Sequence, residues 1–394
     1  MSRLDELIAE LCPDGVEYVK LGDVIKLEKG KQLNKEFLTE QGKYPAYNGG
    51  VTHSGFTDKY NYDENKIIIS QGGASAGFVN FVKTKFWANA HCYVVLPIEH
   101  YINNRYAYHF IKSKQTKLMD KQHGAGIPAL RSSEINNLKI PLPPLPVQNE
   151  IVRILDNFTE LTAELTAELT ARRKQYEYYL NCLFTFSNRP DVKYMSVGEL
   201  FEFKNGLNKG KEYFGTGTPI VNFTDVFNNR YLTSDKLKGR VTVSNKEIEL
   251  YSARKGDVFF TRTSETRDEI GMASVLVEDV ESCVFSGFVL RARPKTALLL
   301  PKYCSYCFSS YNLRKEIIKS SSYTTRALTS GTKLSKLFIP VPPLEEQERI
   351  VAILDRFDAL CNDLTSGIPA EIEARQKQYE YYRDKLLSFK EVTA

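Results

Sequence analysis

The chain has 394 residues, 42% of them hydrophobic and 26% charged, with a net charge of +5. That length suits two to four domains with real cores, and so mild a charge permits a polyanionic partner without demanding one. Seven scattered cysteines argue for a reducing compartment over a disulfide framework. The charged start Met1-Ser2-Arg3-Leu4-Asp5-Glu6-Leu7 lacks a signal-peptide core, and no apolar run approaches the ~18 residues of a membrane span. A cytoplasmic protein without membrane contact is expected.

In chain order, a short amphipathic helix over Leu4 to Leu11 opens the sequence. Pro13-Asp14-Gly15-Val16-Glu17-Tyr18-Val19 follows, and is echoed with one gap by Pro190-Asp191-Val192-Lys193-Tyr194-Met195. Lys66–Ser70, Phe78–Val82 and Cys92–Leu96 are β-branched or aromatic runs between glycine-rich loops, which predicts strands. A helix is expected from Asn104 to about Lys121, with Tyr106, Phe110, Ile111 and Leu118 on one face. The loop His123-Gly124-Ala125-Gly126-Ile127-Pro128 then leads to Ile140. Residues 193–340 replay this order: strands at Asp257–Thr261, Ala273–Val277 and Phe288–Arg291, then a helix from Pro301 to about Ser320.

The longest repeat begins at Pro143-Pro144-Leu145 and Pro342-Pro343-Leu344. It continues as Ile151-Val152-Arg153-Ile154-Leu155-Asp156 and Ile350-Val351-Ala352-Ile353-Leu354-Asp355. It ends with Lys-Gln-Tyr-Glu-Tyr-Tyr at 174–179 and again at 377–382. Ile151, Leu155, Phe158, Leu161, Leu165, Leu169, Tyr176 and Tyr179 step by three or four, as do Ile350, Leu354, Phe357, Leu360 and Tyr379 with Tyr382 beyond. Prolines set the helix starts. About 39 residues at ~1.5 Å rise make a rod of roughly 58 Å; the second copy should break or kink at Ser366-Gly367-Ile368-Pro369. The tandem Thr162-Ala163-Glu164-Leu165 and Thr166-Ala167-Glu168-Leu169 is either a length adjuster, at ~6 Å and ~40° per unit, or a surface helix that tolerates extra turns.

Enzyme motifs are weak. Tyr213-Phe214-Gly215-Thr216-Gly217 resembles a glycine-rich S-adenosylmethionine loop, but no apolar strand precedes it and Pro219 follows, which predicts a turn. Asp191, Glu202 and Lys204 match a loose metal-dependent nuclease pattern; the first repeat places Lys26 and Glu28 at the aligned positions, which reverses the chemistry. Cys304 and Cys307 align with the apolar helix positions Ala107 and Phe110, so core packing is expected over zinc. The five histidines show no metal or triad spacing. What remains are polar, basic loops whose side chains suit base edges and phosphates.

With the repeat in view, Pro-Pro-Leu-x2-Gln-x2-Ile-Val-x-Ile-Leu-Asp at 143–156 and 342–355, and Arg-x-Lys-Gln-Tyr-x-Tyr-Tyr at 172–179 and 375–382, resemble the DNA-specificity subunit of type I restriction-modification systems. The Thr-Ala-Glu-Leu units are similar to those of a subgroup with variable repeat number. The resemblance implies an α+β fold: two similar globular target-recognition domains, each a twisted β-sheet plus helices, in a pseudo-twofold internal repeat separated by two long antiparallel coiled-coil helices. The expected segments are residues 1–145 (N-terminal segment and first recognition domain), 146–188 (central helical spacer), 189–343 (second recognition domain) and 344–394 (C-terminal helical region). It implies a non-catalytic chain, with double-stranded DNA, two methyltransferase subunits and two motor-nuclease subunits as partners. S-adenosylmethionine, ATP and Mg²⁺ would sit on those partners, and no cofactor or metal on this chain.

The candidate DNA-binding residues are Lys31, Gln32, Asn48, Gln71, Gly73, Ser75, His91 and His123 in the first domain. In the second they are Lys204, Asn205, Asn208, Asn222, Thr224, Arg262, Thr263, Ser264, Arg267, Thr325 and Arg326. Arg262 is the leading candidate, with an ion pair to Glu265 or Asp268 as its alternative. Ile151, Leu155, Phe158, Tyr176, Tyr179, Ile350, Leu354, Phe357, Tyr379 and Tyr382 are assigned to helix pairing or partner docking. The rivals are the stand-alone nuclease at Asp191, Glu202 and Lys204, and a repeat-built protein–protein scaffold.

Overall fold

The computed structural model describes residues 2–124, 128–187 and 189–392; Ala125, Gly126 and Ile127 of the expected 123–128 loop lie outside them. The chain forms two compact units, Met1–Thr166 with Glu371–Ala394, and Ala167–Ala370.

The first unit is built on an antiparallel sheet in the order Ile25–Lys29, Cys92–Pro97, Lys66–Ser70, Val79–Val82. The Ile67-Ile68-Ile69 run is buried on both faces of the central strand, where β-branched side chains pack well. A smaller sheet joins Gly55–Thr57, Tyr44–Tyr47 and Trp87–Ala88, the last two in parallel. The expected helix runs from Asn104 to Ser113 and, after a break at Lys114, from Gln115 to Asp120. Tyr106, Phe110, Ile111 and Leu118 share one core with Ile67, Val95, Val147, Ile151, Leu155, Tyr379 and Leu387.

The second unit repeats the plan. Its sheet order is Phe201–Asn205, Val289–Pro294, Val258–Thr261, Ala273–Leu276, with Tyr231–Leu232 added in parallel. Its smaller sheet again contains a parallel pair, Phe214–Val221 with Val284–Phe285. The 213–217 segment, expected as a turn, instead enters that strand. Gly215 and Gly217 at φ of 110° and 99° let it shift register between Phe214 and Thr218. Ser310 splits the 301–320 helix into Pro301–Ser309 and Tyr311–Ser320. Cys304 and Cys307 are buried in the core there.

The repeated helical motif fastens each sheet to its helix. Gln148 accepts from the Asn103 amide (2.8 Å) and donates to the Pro143 (2.8 Å) and Tyr101 (3.0 Å) carbonyls. Gln347 makes the equivalent bonds with Leu300, Pro342 and Leu298. The Tyr106 and Tyr303 hydroxyls donate to the carbonyls of Pro141 and Pro340. The motif aspartates complete the anchor. Asp156 receives Arg105 Nε and Nη2 and, at 2.8 Å, His109 Nε2–H; Tyr379 donates its hydroxyl to His109 Nδ1 at 2.9 Å. Asp355 receives Lys302 Nζ and the Tyr231 and Tyr306 hydroxyls, all at 2.7 Å. Burial alone would raise the Asp156 carboxyl, but His109 and Arg105 together bring it down to about 2. Burial pushes the His109 imidazole down, although Asp156 opposes the shift.

The central helix runs unbroken from Leu145 to Cys182. Its 38 residues span roughly 57 Å at ~1.5 Å each. Between residues 156 and 175 the stripe is only partly covered: Leu165 and Leu169 are half-buried, and Leu161 is 37% exposed. The tandem repeat lies within that stretch. The second copy breaks as expected, into Leu344–Asn362 and Ile368–Leu386. Asp363 caps the break, accepting from the Thr365 and Ser366 amides and hydroxyls. A Cβ on Gly367 would stand 2.6 Å from the Ala359 and Asp363 carbonyl oxygens, so the turn needs glycine there.

Candidate nucleic-acid interface

The predicted loop residues of the first unit gather at one end of its main sheet, held by backbone bonds. The Gln71 amide donates to the His91 carbonyl at 2.8 Å, and the Leu130 amide donates to the Gln71 carbonyl at 2.8 Å. The Gly73 amide reaches the Pro128 carbonyl, and His123 pairs with Ala129 in both directions. Lys31 N–H bonds to the Ala88 carbonyl, while Asn89 Oδ1 accepts from the Leu33 amide. A Cβ on Gly30 would lie 2.2 Å from the Asn89 oxygen, so only glycine lets these two loops touch. Gly49 packs on His91 and Gly72 with φ of 84°. Lys31, Gln32, Asn48, His91 and His123 are exposed on this end; Gln71, Gly73 and Ser75 are half-buried.

The second unit builds the same edge. The Arg262 amide donates to the Phe288 carbonyl at 3.2 Å, and the Thr329 amide donates to the Arg262 carbonyl at 3.1 Å. Gln71 and Arg262 therefore hold the same position, with the same two backbone bonds and different side chains. Gly206 repeats Gly30: its Cβ would lie 2.1 Å from the Ser286 oxygen. Thr263–Ser264 pairs with Ala327–Leu328, which pairs with Ser322–Tyr323. An open cleft of about 400 Å³ lies between these loops, lined by Phe223, Phe227, Thr263, Ser264, Glu265, Thr266, Glu269, Phe288 and Arg326.

Charges of both signs line this cleft, Glu265 and Glu269 beside Arg326. The Arg262 side chain makes no ion pair among the described residues, with Glu265, Asp268 or any other group; Glu265 instead stands 3.9 Å from Arg326. Arg326, Thr325, Asn205, Asn208, Thr224 and Arg267 are exposed, and the Arg267 guanidinium lies 4.8 Å over the Tyr323 ring. Lys204 is half-buried, 5.8 Å from the Tyr251 ring centre.

Two candidates bond within their own unit. Asn222 starts the helix Phe223–Asn228, with its backbone amide donating to Asp225 Oδ2 at 2.8 Å. Ser264 is 7% exposed, and its hydroxyl is held by Thr266 N–H and Glu269. The nuclease triad does not assemble as a metal site. Arg189 binds Asp191 through two bonds, at 2.9 and 2.6 Å, and holds its carboxyl down to about 2. Among the described residues no group of three or more His, Cys, Asp or Glu could hold a metal.

The helix residues divide. Ile151, Leu155, Ile350 and Leu354 are fully buried, and Tyr176 and Tyr379 nearly so. Tyr179 stacks on Phe357 with ring centres 5.4 Å apart, and Tyr382 stacks on Phe158 at the same separation. These contacts pair helices within each unit. The residues left outside are Tyr178 and Tyr381, 64% and 63% exposed at matching places in the repeat. Sequence reasoning passed over them, and over Phe223 and Phe288. Aligning the two strand registers residue by residue would have set Phe288 opposite His91.

The family profile described as "Type I restriction modification DNA specificity domain" matches residues 13–172 and 190–374. A type I restriction enzyme specificity subunit of Escherichia coli is 31% identical over 99% of this chain and 97% of its own length. A putative one from Haemophilus influenzae is 31% identical over 95% of this chain and 96% of its own. The crystal structure of a type I restriction-modification system S subunit from M. genitalium superposes with a TM-score of 0.62 at 20% identity, covering 96% of this chain and 97% of that one. No helix among the described residues is long and apolar enough to cross a membrane.

Proposed function

Because the chain belongs to the type I restriction-modification DNA-specificity family, we propose that its two units read the two halves of a split, asymmetric duplex site. The chain is the DNA-recognition subunit of a restriction-modification enzyme and is not itself catalytic. The observation that carries the reading is the pair of matched edges. One backbone frame presents Gln71 in the first unit and Arg262 in the second, so the scaffold repeats while the reading side chain changes. Arg262 has the fork that suits guanine O6 and N7, and Gln71 the amide that suits adenine N6 and N7. Lys31, Arg267 and Arg326 supply charge for phosphates, which positions the duplex without specifying it.

The reading extends to spacing and partners. The central helix sets the unread gap, and the tandem Thr-Ala-Glu-Leu units support a place in the subgroup with variable repeat number. Tyr178 and Tyr381, exposed at equivalent places, present one docking surface twice, which suits two copies of one methyltransferase subunit; two motor-nuclease subunits complete the assembly. S-adenosylmethionine, ATP and Mg²⁺ belong to those partners.

The test is sequencing of methylated adenines in cells making this chain with its methyltransferase partner. The expected result is a split motif whose gap widens when one Thr-Ala-Glu-Leu unit is inserted. A continuous motif would refute the two-unit reading, and an unchanged gap would refute the ruler.

A further inference from the structure

We propose that Phe288 is a specificity-determining residue of the second unit, packing its ring on a thymine C5 methyl in the major groove. This deepens the DNA-reading assignment above and rests on it. Phe288 lies in the turn between Val284–Phe285 and Val289–Pro294 and is 67% exposed. With two thirds of its surface open to solvent, Phe288 spends little of its ring on packing within its own fold. Its backbone is nonetheless fixed: its amide donates to Ser286 Oγ at 3.3 Å, and its carbonyl accepts from Arg262 N–H. Ser286 is itself buried, and Gly206 packs directly on its carbonyl. The ring is thus carried on a rigid mount beside Arg262, at the mouth of the cleft that Arg326 and Thr263 also line.

The repeat identifies the position as a variable one. Pro97 and Pro294 hold the same register against Ile25 and Phe201, which sets His91 opposite Phe288. Both are exposed, and both accept through their carbonyls from the neighbouring reading residue, Gln71 or Arg262. One frame therefore presents a hydrogen-bonding ring in the first unit and a purely apolar ring in the second. A phenyl ring cannot bond to a base edge. The one apolar group that any base pair offers in the major groove is the thymine methyl, so the second half-site contains an A·T pair specified by this contact.

The experiment starts from the methylated motif of the assembled enzyme. With Phe288→Ala, one A·T position in the second half should relax while the first half stays unchanged; Phe288→Leu, which keeps an apolar contact, should relax it less. A synthetic duplex of the mapped site with deoxyuridine for that thymine removes only the methyl. It should weaken the parent about fourfold, the worth of one buried methyl group, and should not weaken the Phe288→Ala enzyme further. An unchanged motif in Phe288→Ala, an equal loss on every sequence, or a parent indifferent to deoxyuridine would overturn the proposal. If the unaltered chain gives no split motif, it is the underlying DNA-reading assignment that fails.

Discussion

Replacing Asp156 with alanine should destabilise the first unit and leave the second nearly untouched. The carboxylate ties the helix bearing Arg105 and His109 to the central helix, and its environment holds it at about 2 against an ordinary value near 3.9. By linkage, a displacement of that size corresponds to about 2–3 kcal/mol of stability. The side chain is 27% exposed, and solvent screening trims this to about 2 kcal/mol. In a unit of this size that lowers the melting temperature by about 4–8 °C. The sign with pH follows from the lowered carboxyl. Its contribution is complete above the unfolded value near 4 and disappears as pH falls toward 2, so the gap between parent and variant should close on acidification. Calorimetry of the chain in its complex, with hydrogen exchange to assign each transition to a unit, measures this. A first-unit transition unmoved at neutral pH, or a gap that stays constant down to pH 2, would refute the anchoring argument.

Arg262→Ala should cost about 1–3 kcal/mol of site affinity and relax a guanine in one half-site; Gln71→Ala should relax a position in the other half, and binding to mutated duplexes separates the two. Gly206→Ala forces a Cβ onto the Ser286 carbonyl. It should displace the Phe288 turn and weaken second-half recognition, whereas Gly30→Ala should damage only the first half. Tyr178→Ala with Tyr381→Ala should reduce co-purification of the methyltransferase subunit without lowering melting temperature. Tyr176→Ala should instead lower stability by about 3 kcal/mol or more, as large-to-small core changes do.

The repeat was legible in the sequence because anchoring residues are constrained by both surfaces they join. Gln148 and Gln347 must each meet two carbonyls and an amide, and no other side chain does so on the same backbone. The break at Gly367 and the burial of Cys304 and Cys307 were legible for the same reason, since backbone and core tolerate little else. The proposed reading edge was only half visible. Its residue types stood out, but Asn222 and Ser264 were indistinguishable from true loop residues until their bonds to Asp225, Thr266 and Glu269 were seen. Phe288 was hidden because a strand-flanking phenylalanine is buried in most folds, and only its exposure separates it from Phe285, three residues earlier and fully buried. The stripe through Leu161, Leu165 and Leu169 was legible, but not its half-burial, because periodicity records which residues share a face and not how fully it is covered.

The tandem repeat in the central helix, which buries no side chain, also has a consequence for heredity. Four residues are encoded by twelve nucleotides, so a direct repeat in the gene can gain or lose a copy during replication and stay in frame. Within the tandem repeat, residues 162–169, no side chain is buried, so a four-residue insertion there opens no core. A population can therefore hold several helix lengths at once, each reached from another by one copying error. On the ruler proposed above, the chain would keep its two vocabularies while changing the distance between the words.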